Sequence, residues 1–252
     1  MKNKLVTLAL AMVVTCGNIP AFGEAGGAMS ADQAREENAY TLGAQAYLWG
    51  FRSTSTALPN AEALKAGGVG LNSLHKFTTL KTAKDRFVVT PNNVTIDAYA
   101  LIDVSKEPVV LRVPALSESR WYLVQMGDSF DEVFQNLRGS KGPQPGTYVI
   151  TGPDYQGAVP GEMTRISTRT KIGVLAVRIF VKGDADLARA IEAQNGFYLL
   201  PLSAYLRQGL AFNPPTPVVP TSVTSEAPVE IRFFDLLGQA MQQMLPVAAD
   251  TP

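Results

Sequence analysis

The chain has 252 residues, 46% of them hydrophobic, with 22 basic residues balancing 22 acidic ones and a single cysteine and a single histidine. So even a balance argues against nucleic acid or an anionic membrane as a partner, because both need clustered positive charge. One cysteine allows no internal disulfide, and one histidine leaves an ordinary zinc site short of its usual ligands, so no metal and no other cofactor is expected.

The amino terminus has the three parts of a secretory signal peptide over residues 1–23. Lys2 and Lys4 supply a positive start, and Leu5 to Cys16 is an apolar run too short to span a bilayer. Pro20 then breaks the run, and Ala21-Phe22-Gly23 places small residues before a cleavage near Gly23/Glu24. Acylation of Cys16 is a lesser alternative, since Thr15 before it fits a lipoprotein signal poorly. This pattern predicts a periplasmic or secreted protein. Cleavage would remove the cysteine and two lysines, tipping the charge slightly acidic. No later segment is apolar for long enough to cross a membrane.

Residues 24–29 read as a small-residue tether, and residues 30–212 as the main domain. Ser30 with Gln33 three residues on predicts a capped helix start. Tyr40, Ala44, Tyr47, Leu48 and Phe51 recur at helical spacing and predict one apolar stripe on a helix running to about Ser55. Pro59-Asn60 closes it, and Gly67 to Gly70 reads as a turn region. The character changes at Phe87-Val88-Val89, a short β-branched run. Thr95 to Val104 then alternates, with Ile96, Ala98, Ala100, Ile102 and Val104 on one face and Thr95, Asp97, Tyr99 and Asp103 on the other. Period two over that length predicts a half-buried strand.

Further strands are predicted at Val109 to Val113, Trp121 to Met126, Glu132 to Leu137, Tyr148 to Thr151 and Ile172 to Val181. Turn signals separate them, including Pro114, Gly139 to Gly146 and Gly152-Pro153-Asp154. Short strands without intervening helices point to a mainly β (α+β) fold, an antiparallel sandwich or barrel rather than a parallel sheet. One short helix follows from Asp184 and stops at Asn195-Gly196, and Tyr198 to Leu200 with Tyr205-Leu206 reads as a strand or irregular core segment. Residues 213–230 form a proline-rich linker. In 231–252, Ile231, Phe234, Leu237, Met241 and Leu245 make an amphipathic helix with a tail. The 231–245 helix is a candidate surface for pairing chains into a homo-oligomer.

Several stretches together resemble one family. They are Thr90-Pro91-Asn92-Asn93, Asp103 to Val113, Arg120 to Asp128 and Tyr148 to Pro160. They resemble DUF1254, exported bacterial proteins whose function is unassigned, and the likeness runs from about Tyr40 to Leu210. The resemblance implies a β-sandwich of jelly-roll type and no particular reaction. Members usually continue into a second domain, DUF1214, which makes the 231–252 segment look like the beginning of one. Many members also have Asp-Thr and then Leu-Tyr after the Pro-Asn turn, where this chain reads Val94-Thr95-Ile96-Asp97.

Strong catalytic signatures are absent. Gly127-Asp128-Ser129-Phe130-Asp131 lacks the last glycine of a nucleophile elbow, and no phosphate loop is present. His75 is a candidate general base, though a lone histidine in Asn72 to Lys76 is more often a hydrogen-bonded surface residue. Asp128 and Asp131, or Asp97, are candidates for a carboxylate pair in glycan hydrolysis, which requires roughly 5 to 9.5 Å between them. Asn92, Asn93, Tyr99, Arg120, Trp121 and Gln125 are candidates for holding a small polar or carbohydrate ligand. The plainer reading makes all of these the solvated face and turns of a sheet.

Overall fold

The computed structural model describes residues 29–54, 71–86, 90–117, 120–138, 145–209 and 224–243. The segments expected to be a signal peptide, most of the tether, turns at Pro59, Gly67 and 139–144, most of the linker and the tail from Met244, together with Phe87 to Val89, lie outside the described residues. The chain divides into two units, Met1–Ala44 and Gln45–Pro252, and the boundary falls inside the first helix, α1 (Ala31–Arg52).

In the first unit α1 opens as expected. Gln33 N–H donates to Ser30 Oγ at 3.1 Å and Ser30 N–H donates back to Gln33 Oε1 at 2.9 Å, a reciprocal capping box. The predicted apolar stripe does not go inside: Tyr40 and Leu48 are 79% and 76% exposed, and Gly50 is the buried residue of the helix. In the second unit the reason is visible. The helix end is met by α4 (Arg232–Gln243), where the Leu237 side chain occupies the space a Cβ on Gly50 would need. Tyr47 packs on Phe233 with ring centroids 4.6 Å apart. Close approach at a glycine therefore replaces a wide apolar contact.

The rest of the second unit is two sheets. One is ordered β1-β2-β8-β4-β5, from His75–Lys76, Thr95–Asp103, Ile172–Phe180, Tyr122–Asp128 and Val133–Arg138. The other is ordered β7-β6-β3-β9, from Thr164–Ser167, Gly146–Thr151, Val109–Val113 and Tyr198–Pro201. Their facing sides share one core that includes Ile96, Ile102, Val124, Leu175 and Ile179 from the first sheet and Val109, Leu111 and Ile150 from the second. The mainly β, α+β reading holds, as two sheets rather than a closed barrel. Successive strand residues point to opposite faces, so the even-numbered residues of β2 line the core and the odd-numbered ones form the outer face.

Two local expectations are corrected, and one strand proves buried on both faces. The sheets are not wholly antiparallel, because β7 runs parallel to β6. Val109, Val110 and Leu111 are all buried, since the second sheet is covered on both faces; Val110, Val149, Met163, Leu200 and Leu202 form a smaller cluster away from the main core. Tyr205-Leu206 lies in a helix, α3 (Leu202–Gln208), not in a strand. Its first turn is satisfied from a distance: Ser203 N–H and Oγ donate to the two carboxylate oxygens of Glu107, at 2.8 and 3.0 Å. A carboxylate at a helix start stabilises its free N–H groups, and this one comes from a turn far away in sequence. Between β8 and β9, a 3-10 turn (Asp184–Asp186) precedes α2 (Leu187–Asn195), with no side-chain cap from Asp184.

Among the described glycines, the closest approach to a neighbouring backbone lies between β8 and β4. A Cβ added to Gly173 would come 2.7 Å from the Gly127 carbonyl oxygen, and a backbone atom in a sheet centre cannot move aside cheaply. Gly173→Ala should therefore destabilise the protein by about 1–3 kcal/mol, read as a lower urea midpoint. An unchanged midpoint would mean the strands are farther apart than described.

Candidate functional site

The register across the first sheet determines which side chains meet on its outer face. Asp97 lies opposite Arg178, which lies opposite Leu123, which lies opposite Arg138. One step along, His75, Tyr99, Ala176, Gln125 and Asn136 form a row across all five strands. Four of the expected site residues, Asp97, Tyr99, Gln125 and His75, thus fall on two adjacent rows of one face.

Hydrogen bonds link these rows. Asn92 Nδ2 donates to Thr95 Oγ1 at 2.6 Å, and Thr95 Oγ1 donates to Asp97 Oδ1 at 2.8 Å. Tyr99 OH donates to Asp97 Oδ2 at 2.9 Å. Across the row, Arg178 Nη1 donates to Gln125 Oε1 at 3.0 Å, and Gln125 Nε2 donates to Asn136 Oδ1 at 3.3 Å. Asp97 is 2% exposed, so the hydroxyl donors on both of its oxygens are what a buried carboxylate requires. Burial, followed by the adjacent Asp97 charge and hydrogen bond, pushes the Tyr99 phenol up to about 12, with Arg178 acting in the opposite direction. Phe77 meets Tyr99 edge-on at 6.0 Å and His75 at 4.7 Å, and the Lys81 ammonium lies 3.8 Å from the Phe77 ring centroid. A cation over an aromatic face is attracted by the ring quadrupole.

The other expected residues lie elsewhere and are occupied. Asn92 also accepts from the backbone of Val94 and Thr95, a local turn, while Asn93 is exposed. Asp128 is buried in the β4–β5 turn, where its Oδ1 accepts from the backbone of Phe130 and Glu132. Its Oδ2 accepts no hydrogen bond but stands 3.5 Å from Arg169 Nη1, an ion pair. Asp131 adopts φ 64° in the same turn and pairs with Arg52 at 3.0 Å, both partly exposed. Asp97 lies apart from these two, in mid-strand on β2.

Arg120 is spent on Asp186 through two bonds, at 2.6 and 2.8 Å, and also donates to the Phe180 carbonyl. That fork, joined by the Lys182 N–H, holds the Asp186 carboxyl well below the usual carboxylate range. Trp121, 39% exposed, flanks Phe180, 42% exposed, whose N–H donates to the Trp121 carbonyl. A shallow groove of about 410 Å³ opens nearby beside Pro114, Ser117, Arg120, Arg189 and Glu192. Among the described residues, no group of histidine, cysteine or carboxylate side chains is placed to hold a metal ion, and no helix is long and apolar enough to cross a membrane.

Arg178 and Ala176 escaped the sequence reading. A signal existed for the first: Arg178 is the one charged residue within the apolar strand Ile172–Phe180. Ala176 carried none, because its importance lies in its neighbours on β2 and β4.

Two titrations follow from this geometry. A raised tyrosine pKa means the fold holds that proton more tightly than the unfolded chain does, so its contribution is intact below about pH 10 and is lost as pH rises towards 12. Tyr99→Phe should remove one late-ionising phenol from the absorbance titration and flatten the alkaline fall in stability. The depressed Asp186 acts in the other direction, contributing above about pH 4 and fading as pH falls further. Asp186→Asn should lower Tm at neutral pH, with the gap to the parent closing in acid. A gap that failed to narrow between about pH 5 and pH 2 would dissociate the ion pair from that stability.

Comparison with known proteins places this arrangement. The family described as "Protein of unknown function (DUF1254)" matches residues 71–201, which run from just before β1 to the end of β9. No curated protein matches. Among solved structures, the VPA0106 protein from Vibrio parahaemolyticus is similar with a TM-score of 0.62 at 20% identity, covering 79% of this chain and 46% of that one. The likeness is one of fold, and this chain spans less than half the length of that relative. An uncharacterized protein from Burkholderia cenocepacia aligns at 13% identity with a TM-score of 0.34, over 53% of this chain and 36% of that one. With just over half of its length matched, the chain belongs to the DUF1254 family.

Proposed function

We propose that this is an exported, non-catalytic module that binds a small polar molecule of the carbohydrate class on the outer face of its five-stranded sheet. The observation that carries the reading is the row Tyr99–Ala176–Gln125, bordered by Arg178 and Asn136. A methyl group stands there between longer hydrogen-bonding side chains on the neighbouring strands, where a small ligand would meet donors and acceptors on either side. Sites of this type combine apolar surface with a few fixed polar groups. Exposed Trp121 and Phe180, farther along the same strands, supply flat rings for the apolar face of a sugar. Hydrolysis by a carboxylate pair finds no comparable support, because Asp128 is committed to backbone donors and Asp97 to hydroxyls. Export rests on the charged, apolar and small-residue sequence of the first 23 positions.

The test is calorimetric titration of the protein with glucose, galactose and the uronic acid of each, alongside the mass of its amino terminus after expression in a bacterial host. Binding of at least one sugar, lost in Ala176→Leu with Tm preserved, is the expected result. No binding of any of the four would overturn the reading of this face, and retention of Met1 in the mature protein would overturn export.

A further inference from the structure

Arg178 is half-buried in a central strand, yet it makes no ion pair among the described residues. Its cross-strand neighbour is a carboxylate, Asp97, but that group accepts from Thr95 and Tyr99 instead. The guanidinium directs one nitrogen to Gln125 and lies near the Tyr99 hydroxyl. Both partners are neutral, so among the described residues no carboxylate pairs directly with the guanidinium beside Ala176. A charge held part-way out of water without a counter-ion is costly, and the cost falls when an anion arrives. By contrast, Arg120, a half-buried arginine at the end of the same strand pair, is paired with Asp186 through two bonds.

From this arrangement, and resting on the ligand-binding reading above, we infer that the ligand carries a carboxylate seated against Arg178, with its polar body over Ala176 and towards Gln125 and Asn136. A guanidinium presents parallel N–H groups that match the two oxygens of a carboxylate. Asp97 beside it disfavours a group with a second negative charge, such as phosphate, because like charges repel strongly where water is scarce. Ala176 is the shortest side chain of its row, between Tyr99 and Gln125, and is where a ligand would approach the guanidinium. The uronic acids are sugars that meet both demands, a carboxylate and a hydroxylated ring.

The experiment compares glucuronate with glucose, and galacturonate with galactose, by calorimetric titration of the full chain at low salt. Acids are expected to bind at least tenfold more tightly than their neutral partners. That preference should shrink as salt rises from 0.05 to 0.5 M, because salt screens a partly exposed pair. Arg178→Gln should abolish the tenfold preference, while Arg112→Gln, a half-buried arginine on the other sheet, should leave it intact. Should Arg178→Gln fail to fold, the acid-to-neutral ratio and its salt dependence on the parent protein still decide. Neutral and acidic sugars bound equally, with both lost in Ala176→Leu, would overturn the carboxylate and leave the binding face standing. No binding by any of the four sinks both.

Discussion

The backbone ladder between β2 and β8, nine residue pairs from Thr95–Phe180 to Asp103–Ile172, is the constraint on which the rest depends. β8 is paired along its other edge with β4, so all its backbone groups are satisfied within the sheet and neither strand can slip. A one-residue shift of β2 would turn Ile96, Ala98 and Ile102 outward and bring Asp97 into the core. The apolar core and the polar outer face are therefore two consequences of one register. Core packing against the second sheet, through Val109, Leu111 and Ile150, secures that register from the other side.

The outer face departs from an ordinary solvated sheet surface. Polar residues facing water need no partners, yet Thr95, Asp97 and Tyr99 are tied to one another, with Asp97 almost wholly buried. Phe77 and Lys81 lie over Tyr99 and help exclude water from that end. The network fixes the Tyr99 ring, and Arg178 beside it donates to Gln125 rather than to a carboxylate. Polar groups held in fixed positions lose little freedom when a ligand arrives, which favours binding.

Charges elsewhere do structural work. Asp128 closes the β4–β5 turn by accepting two backbone N–H groups, and Glu107 caps α3 from a distant loop. Arg120 and Asp186 join the start of β4 to the turn before α2. These residues looked like chemistry when read in a row, because Arg120 to Arg138 is dense in polar groups. Folded, they divide between a turn, an ion pair and the outer face, since alternate strand positions point in opposite directions and turn residues bond their own backbone.

The sequence alone was enough for the mainly β class, six of the strands to within two residues at either end, the capped start of α1, and the family. Those features arise from local causes: period-two alternation, proline and glycine turns, and short-range side-chain to backbone bonds. What depends on distant contacts could be decided only by the tertiary structure. Glu107 makes a helix of residues 202–208, the Leu237 contact makes Gly50 the buried point of α1, and β7 finds a parallel partner in β6. The candidate site is of the same kind. Asp97 and Tyr99 could be placed on one face from spacing, but Arg178, Ala176 and Gln125 join them only through pairings with strands 75 and 25 residues away, and a register is a property of two strands together that neither one carries by itself.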